Sequence, residues 1–167
     1  KYMNPSVSLD PDKPNKLEHH YILFRYAEIL LNYAEAMNEW KGPDAMAEGC
    51  PLTAREALNQ VRNSADMKAV TATGTEFTEK VRNERRIELA FEGHRFYDIR
   101  RWKIAGTDEV RNIYGVKITG SDGSFSYEKV LLRQMYWDDK MYLFPYPQNE
   151  VYMNPNLTQN PGWVGDK

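Results

Sequence analysis

The 167-residue chain carries 22 basic and 24 acidic side chains, a formal charge of −2, and is 41% hydrophobic with 13% aromatic residues. This length suits one domain, residues 1–167, with enough apolar material for a core. The balanced charge argues against a nucleic-acid surface, and the single cysteine, Cys50, excludes an intrachain disulfide and a zinc site built from cysteines.

No run approaches the roughly 18 apolar residues of a membrane span, and no signal-peptide pattern is present. The chain begins at Lys1, which reads as a processed form or an excised piece of a longer protein. Cys50 sits in Ala-Glu-Gly-Cys, similar to a lipoprotein cleavage site, but no apolar run precedes it, so it reads as a loop thiol.

Residues 1–18, with Pro5, Pro11 and Pro14, predict an extended lead-in. Residues 19–40 predict the first helix. Its polar positions, Arg25, Glu28, Asn32, Glu35 and Glu39, form a strip about 80° wide, so the remaining surface should be covered on most sides. His19 and His20 diverge on a helix and have no acid or cysteine at ligand spacing, so they read as a solvated start. After a Gly- and Pro-marked loop, Thr53 with Glu56 forms a capping box. The second helix then runs to about Ala65. Its small apolar residues, Ala54, Ala57, Leu58, Val61 and Ala65, allow close approach to the first helix as an antiparallel pair.

A third helix is predicted from about Thr75 to Gly93, which would end it as a C-terminal glycine. At about 100° per residue, Phe77, Val81, Leu89 and Phe91 share a face with Glu84, Glu88 and Glu92, while Arg82, Asn83 and Arg86 face away. A carboxylate inside an apolar stripe needs a partner, and the arginine fork is the best one. Glu88 is therefore expected to be buried and bonded to an arginine. Arg85, Arg95, Arg100 and Arg101 are the candidates, and Glu92 joins the same structural ion-pair set. The catalytic reading of Glu88 and Glu92, a glycosidase acid/base pair, needs the two carboxylates across an open cleft.

Phe96, Tyr97, Ile99 and Trp102 predict continued burial through a bend or short helix. Residues 113–118 predict a strand, 120–123 a turn and 125–127 a short returning strand. The apolar run 130–137 suits helix or strand. Residues 141–144 read as a short extended run, and the rest as irregular chain held by Tyr152, Leu157 and Trp163. The fold class from pattern is mainly helical, with a β-containing tail. Nucleotide-binding, zinc-protease and serine-hydrolase motifs are missing, and no cofactor is implied.

Four segments, FRYAEILLNYAEAMN, AREALNQVRNSA, VRNERRIELAFEGHRFYDIRRW and LFPYPQNEVYMNPNLTQNPGW, resemble in order and spacing the C-terminal part of the SusD/RagB family. The third and fourth are the most specific, and the matching segments span most of residues 21–163. Tyr146 stands where family members commonly have Ile. The resemblance implies a mainly α fold with tetratricopeptide-like antiparallel helix pairs. It also implies an outer-membrane, outward-facing lipoprotein of Bacteroidetes, acting in polysaccharide utilisation. Such a protein binds oligosaccharide without catalysis and sits on a SusC-like TonB-dependent transporter. Its lipidated cysteine, and much of its glycan-binding surface, would lie upstream of this chain. Tyr136 and Trp137, next to Asp138 and Asp139, are the candidates here for stacking on a sugar ring. The alternative is a protein-interaction scaffold with no sugar site.

Overall fold

A computed structural model of the chain describes Asp10, Asp12, residues 23–121 and residues 123–163. The chain falls into two compact units, Lys1–Glu92 and Gly93–Lys167, and each is taken by itself. His19, His20, Tyr21 and most of the expected lead-in lie outside the described residues.

The first unit is built on α1 (Tyr26–Lys41), α2 (Ala54–Ser64) and α3 (Gly74–Glu88). Helix α1 begins later than residue 19, since residues 23–25 are not helical and Arg25 is extended at φ −147°. Leu30, Leu31, Ala34 and Met37 form its inner face and meet Ala54, Ala57, Leu58, Val61, Phe77 and Val81 in one core. The small residues of α2 are buried as expected, except Ala65, which lies past the helix end and is exposed. The capping box forms in both directions: Thr53 Oγ1 accepts from Glu56 N, and Glu56 Oε2 accepts from Thr53 N. Tyr26, Ile29 and Trp40 stand exposed on the outer side of α1.

Side-chain bonds give the helix directions. Asn38 at the end of α1 bonds Thr78 near the start of α3, and Arg25 before α1 bonds Glu88 at the end of α3. These two helices are antiparallel. The backbone amide of Arg55 near the start of α2 donates to Pro43 O just past α1, so that pair is antiparallel as well. Helices α2 and α3 therefore run parallel, and residues 65–73 must return along α2. They do so as an extended strap. Arg62 Nε donates to Lys68 O at 2.8 Å, Asn59 Oδ1 accepts from Val70 N at 2.8 Å, and Arg55 Nη1 donates to Ala72 O at 2.8 Å. Residues spaced by three and four on a helix thus hold residues spaced by two on extended chain.

Helix α3 stops at Glu88, five residues short of Gly93. Arg25 caps the helix at that end. Its Nη2 donates to Glu88 O, a carbonyl that a continuing helix would give to the amide of Glu92. The Glu92 amide goes to Leu89 O instead. Phe91 takes a left-handed φ of 65° and is 92% exposed, so it leaves the apolar face on which the periodicity put it. Gly93, at φ 82°, precedes the next helix instead of closing this one.

The second unit contains α4 (His94–Arg101), the short α5 (Asp108–Arg111), strands β1 (Asn112–Ser121) and β2 (Ser124–Gln134), and α6 (Gln148–Met153). Strands β1 and β2 pair antiparallel, with a register shift at Ile113/Tyr114. The hairpin is longer than expected, because residues 130–134 join the strand and settle the ambiguity of that run. Residues 139–142 form a 3-10 turn, and extended chain begins only at Leu143. Helix α6 occupies a stretch expected to be irregular, and Tyr152 on it is exposed.

Candidate functional site

Two clusters concentrate chemistry, one in each unit. In the first unit, Glu88 is bonded to an arginine, but that arginine is Arg25. Arg25 Nη1 donates to Glu88 Oε1 at 2.5 Å and Nε donates to Glu92 Oε2 at 2.7 Å. Burial would lower the Arg25 pKa, and the bonds to Glu92 and Glu88 outweigh it, so the guanidinium is held above its usual value. Arg85 turns instead to α1, donating to Asn32 Oδ1 at 2.5 Å and lying 3.8 Å from Glu35. Glu88 is half-buried. The buried carboxylate of the helix is Glu84, 7% exposed, which accepts from Arg62 Nη1 at 2.5 Å. Two carboxylates on one guanidinium and a third on its own arginine act as fasteners between helices.

In the second unit the terminal motif builds a ledge. Trp163 Nε1 donates to Lys140 O at 3.1 Å and to Leu143 O at 2.9 Å. Asn160 Nδ2 donates to Phe144 O at 2.5 Å, and Gln159 bonds both the amide and the carbonyl of Tyr146. The backbone of 140–146 is thereby fixed, and Phe144 is presented beside α4. Its ring lies 5.8 Å from that of Phe96, nearly parallel, while Tyr97 meets Phe96 edge-on at 5.2 Å.

Arg100 sits among these rings, 3.6 Å from Phe96, 5.4 Å from Trp137 and 5.7 Å from Phe144. Its Nη1 donates to Phe96 O at 2.9 Å. Arg101 is tied to Asp98, which is buried. Around them opens a hollow of about 790 Å³, lined by Tyr97, Arg100, Lys103, Asp139, Tyr142 and Phe144 among others. That volume falls within the range of small-ligand sites.

Trp137 lies beside this hollow, not on its lining. It is half-buried, edge-on to Tyr142 at 4.8 Å and close against Gly106. Tyr136 points outward, 71% exposed. Arg95 is half-buried on α4. Sequence reasoning missed Arg25, Arg62, Tyr97 and Phe144. The only local signal was a buried-face glutamate at 84 and an aromatic pair at 96–97, because the remaining partners come from distant segments. Among the described residues no three His, Cys, Asp or Glu side chains form a metal site, and no helix is long and apolar enough to cross a membrane.

The SusD family model matches residues 1–163. SusD-like protein P2 of Formosa agariphila is 34% identical over 150 residues, covering 86% of this chain and 26% of that protein. SusD-like protein P38 of the same organism is 34% identical over 171 residues, covering 96% of this chain and 27% of that protein. The crystal structure of a SusD-like protein from Bacteroides fragilis superposes with a TM-score of 0.69 at 36% identity, covering 86% of this chain and 26% of that one. The chain thus spans about a quarter of the length of these relatives.

Proposed function

The chain belongs to the SusD family, and from that premise we propose that it is the helical C-terminal region of a non-catalytic carbohydrate-binding component of an outer-membrane uptake complex. The partner in this reading is a SusC-like TonB-dependent transporter, the ligand is an oligosaccharide, and a lipid anchor on a longer chain holds the protein at the outer face of the membrane. The observation that carries the reading is the family match across residues 1–163. The hollow in the second unit supports it, since exposed ring faces of Tyr97 and Phe144 lie next to hydrogen-bonding groups. Trp137 backs this surface through Tyr142 and Arg100. Glu88 and Glu92, both held by Arg25, support passive binding over glycoside hydrolysis.

Titration calorimetry of the chain against neutral and acidic oligosaccharides tests the binding. Heat of binding that disappears in Tyr97→Ala supports it, and no heat with any saccharide overturns it for this chain. Incubation with the panel should release no reducing ends. A second reading, an interaction scaffold with no sugar site, is favoured by the exposed apolar side of α1. Co-purification with the transporter, unaltered by Tyr97→Ala and lost in Trp40→Glu, would select that reading.

A further inference from the structure

We propose that the hollow of the second unit receives an acidic sugar, with Arg100 as the receptor for its carboxylate or sulfate group. This rests on the carbohydrate-binding reading above and narrows its ligand class.

The argument starts from the donors of one side chain. A guanidinium carries five N–H donors, and Arg100 uses Nη1 on the carbonyl of Phe96. Its Nε is buried and has no acceptor among the described residues. The surrounding rings of Phe96, Trp137 and Phe144 attract the positive charge but contribute no acceptor oxygen. No carboxylate pairs with Arg100 among the described residues. A half-buried cation whose Nε is buried without an acceptor favours an anion that brings oxygens of its own. Arg100 also lines the hollow, so a ligand entering there meets it.

The other charges lining the hollow sharpen the choice. Arg101 is already engaged by Asp98, and Lys140 lies 3.7 Å from Asp138. Lys103 is exposed, in the left-handed region at φ 54°, and has no carboxylate partner among the described residues. Asp139 is the acid on the lining and is exposed. Arg100 and Lys103 therefore remain as the two cations not neutralised locally, against one acid suited to sugar hydroxyls. Tyr97, 68% exposed, and Phe144, 62% exposed, offer ring faces for the apolar side of a pyranose. A neutral sugar would use the rings and leave the charge of the guanidinium unmatched, since its hydroxyls are uncharged acceptors. An acidic sugar uses both.

Calorimetry on the full 167-residue chain tests this with three probes of equal length: an oligogalacturonate, a sulfated galactan fragment and a neutral galactan fragment. At 50 mM NaCl the acidic probes should bind at least about tenfold more tightly than the neutral one, and the preference should shrink at higher salt. The stronger of the two acidic probes distinguishes carboxylate from sulfate. Arg100→Gln should abolish the preference. Lys103→Ala, a change at an exposed position, should reduce it severalfold and tests the site even if the Arg100 variant fails to fold. Equal binding of neutral and acidic probes overturns the acid preference and leaves the carbohydrate-binding reading intact. Binding of none of the three overturns the acid preference, while the carbohydrate-binding reading falls only if the wider saccharide panel is silent as well. An acid preference unchanged in folded Lys103→Ala and Arg100→Gln shows that the receptor lies elsewhere and overturns the assignment.

Discussion

Arg62 on α2 and Glu84 on α3 face each other at 2.5 Å, and the same arginine reaches Lys68 O with its Nε. One side chain thus holds both the strap and the third helix. Removing Glu84 leaves a largely buried cation short of an acceptor. Glu84→Ala should lower unfolding free energy by about 2–3 kcal/mol. Glu76, whose pair with Lys80 is exposed and 3.8 Å long, is the control. Glu76→Ala should change stability by less than about 0.5 kcal/mol. Denaturant unfolding of the two variants measures the difference, and equal effects would contradict the account.

Arg25 closes α3 from outside, through the Glu88 carbonyl and the carboxylates of Glu88 and Glu92. A cation at a helix C-terminus also complements the helix dipole. Arg25→Lys keeps the charge and loses the planar fork that serves three acceptors, so it should not rescue. Amide hydrogen exchange at Leu89, Ala90 and Glu92 should accelerate in both Arg25→Lys and Arg25→Ala, with α2 unaffected.

The Val70 amide is bonded to Asn59 Oδ1, and Val70 is buried. Asn59→Leu preserves size and removes the acceptor. The unmatched N–H should cost about 1–3 kcal/mol in thermal or denaturant unfolding. Asn59→Asp, which keeps an acceptor, should cost less.

Acid should loosen the first unit. The bond from Arg55 holds the Asp44 carboxyl below its usual pKa, and the backbone bond from Thr53 does the same for Glu56. A carboxylate depressed in the folded state contributes stability above its unfolded pKa, and that contribution is lost as pH falls through the folded value. Melting temperature should therefore decline as pH drops below about 4, the ordinary carboxylate range. Asp44→Asn should flatten that decline while lowering stability near neutrality. Salt should weaken the Asp44 share, because that side chain is exposed.

How much of this was legible in the sequence depended on distance along the chain. Helix α2 was readable from Thr53 and Glu56 because both ends of its capping box lie within four residues. The expectation that an embedded glutamate needs an arginine held in kind, but Glu84 and Arg62 are 22 residues apart and Glu88 and Arg25 are 63 apart. Periodicity cannot name such partners. The same long-range bond caps α3 where it stops short, and Phe91 beyond that end leaves its expected face. Helix α6 left a local signal that was passed over, Pro147 just before its first turn and Glu150 within it. At the candidate site, adjacency to two aspartates drew attention to Tyr136 and Trp137. The exposed rings of the hollow, Tyr97 and Phe144, stand 47 positions apart and line it together, with Gln159, Asn160 and Trp163 bonded to the later segment.

The strap along α2 has a consequence for engineering and divergence. Most connectors between helices absorb an extra residue at little cost, since surface loops tolerate changes in length. Between Lys68 and Ala72 the alternation of extended chain sets which backbone groups meet Arg62, Asn59 and Arg55. One inserted residue would reverse that alternation beyond the insertion and misalign the bonds downstream together. This short joint behaves like a toothed rack, so epitope tags and protease sites belong elsewhere.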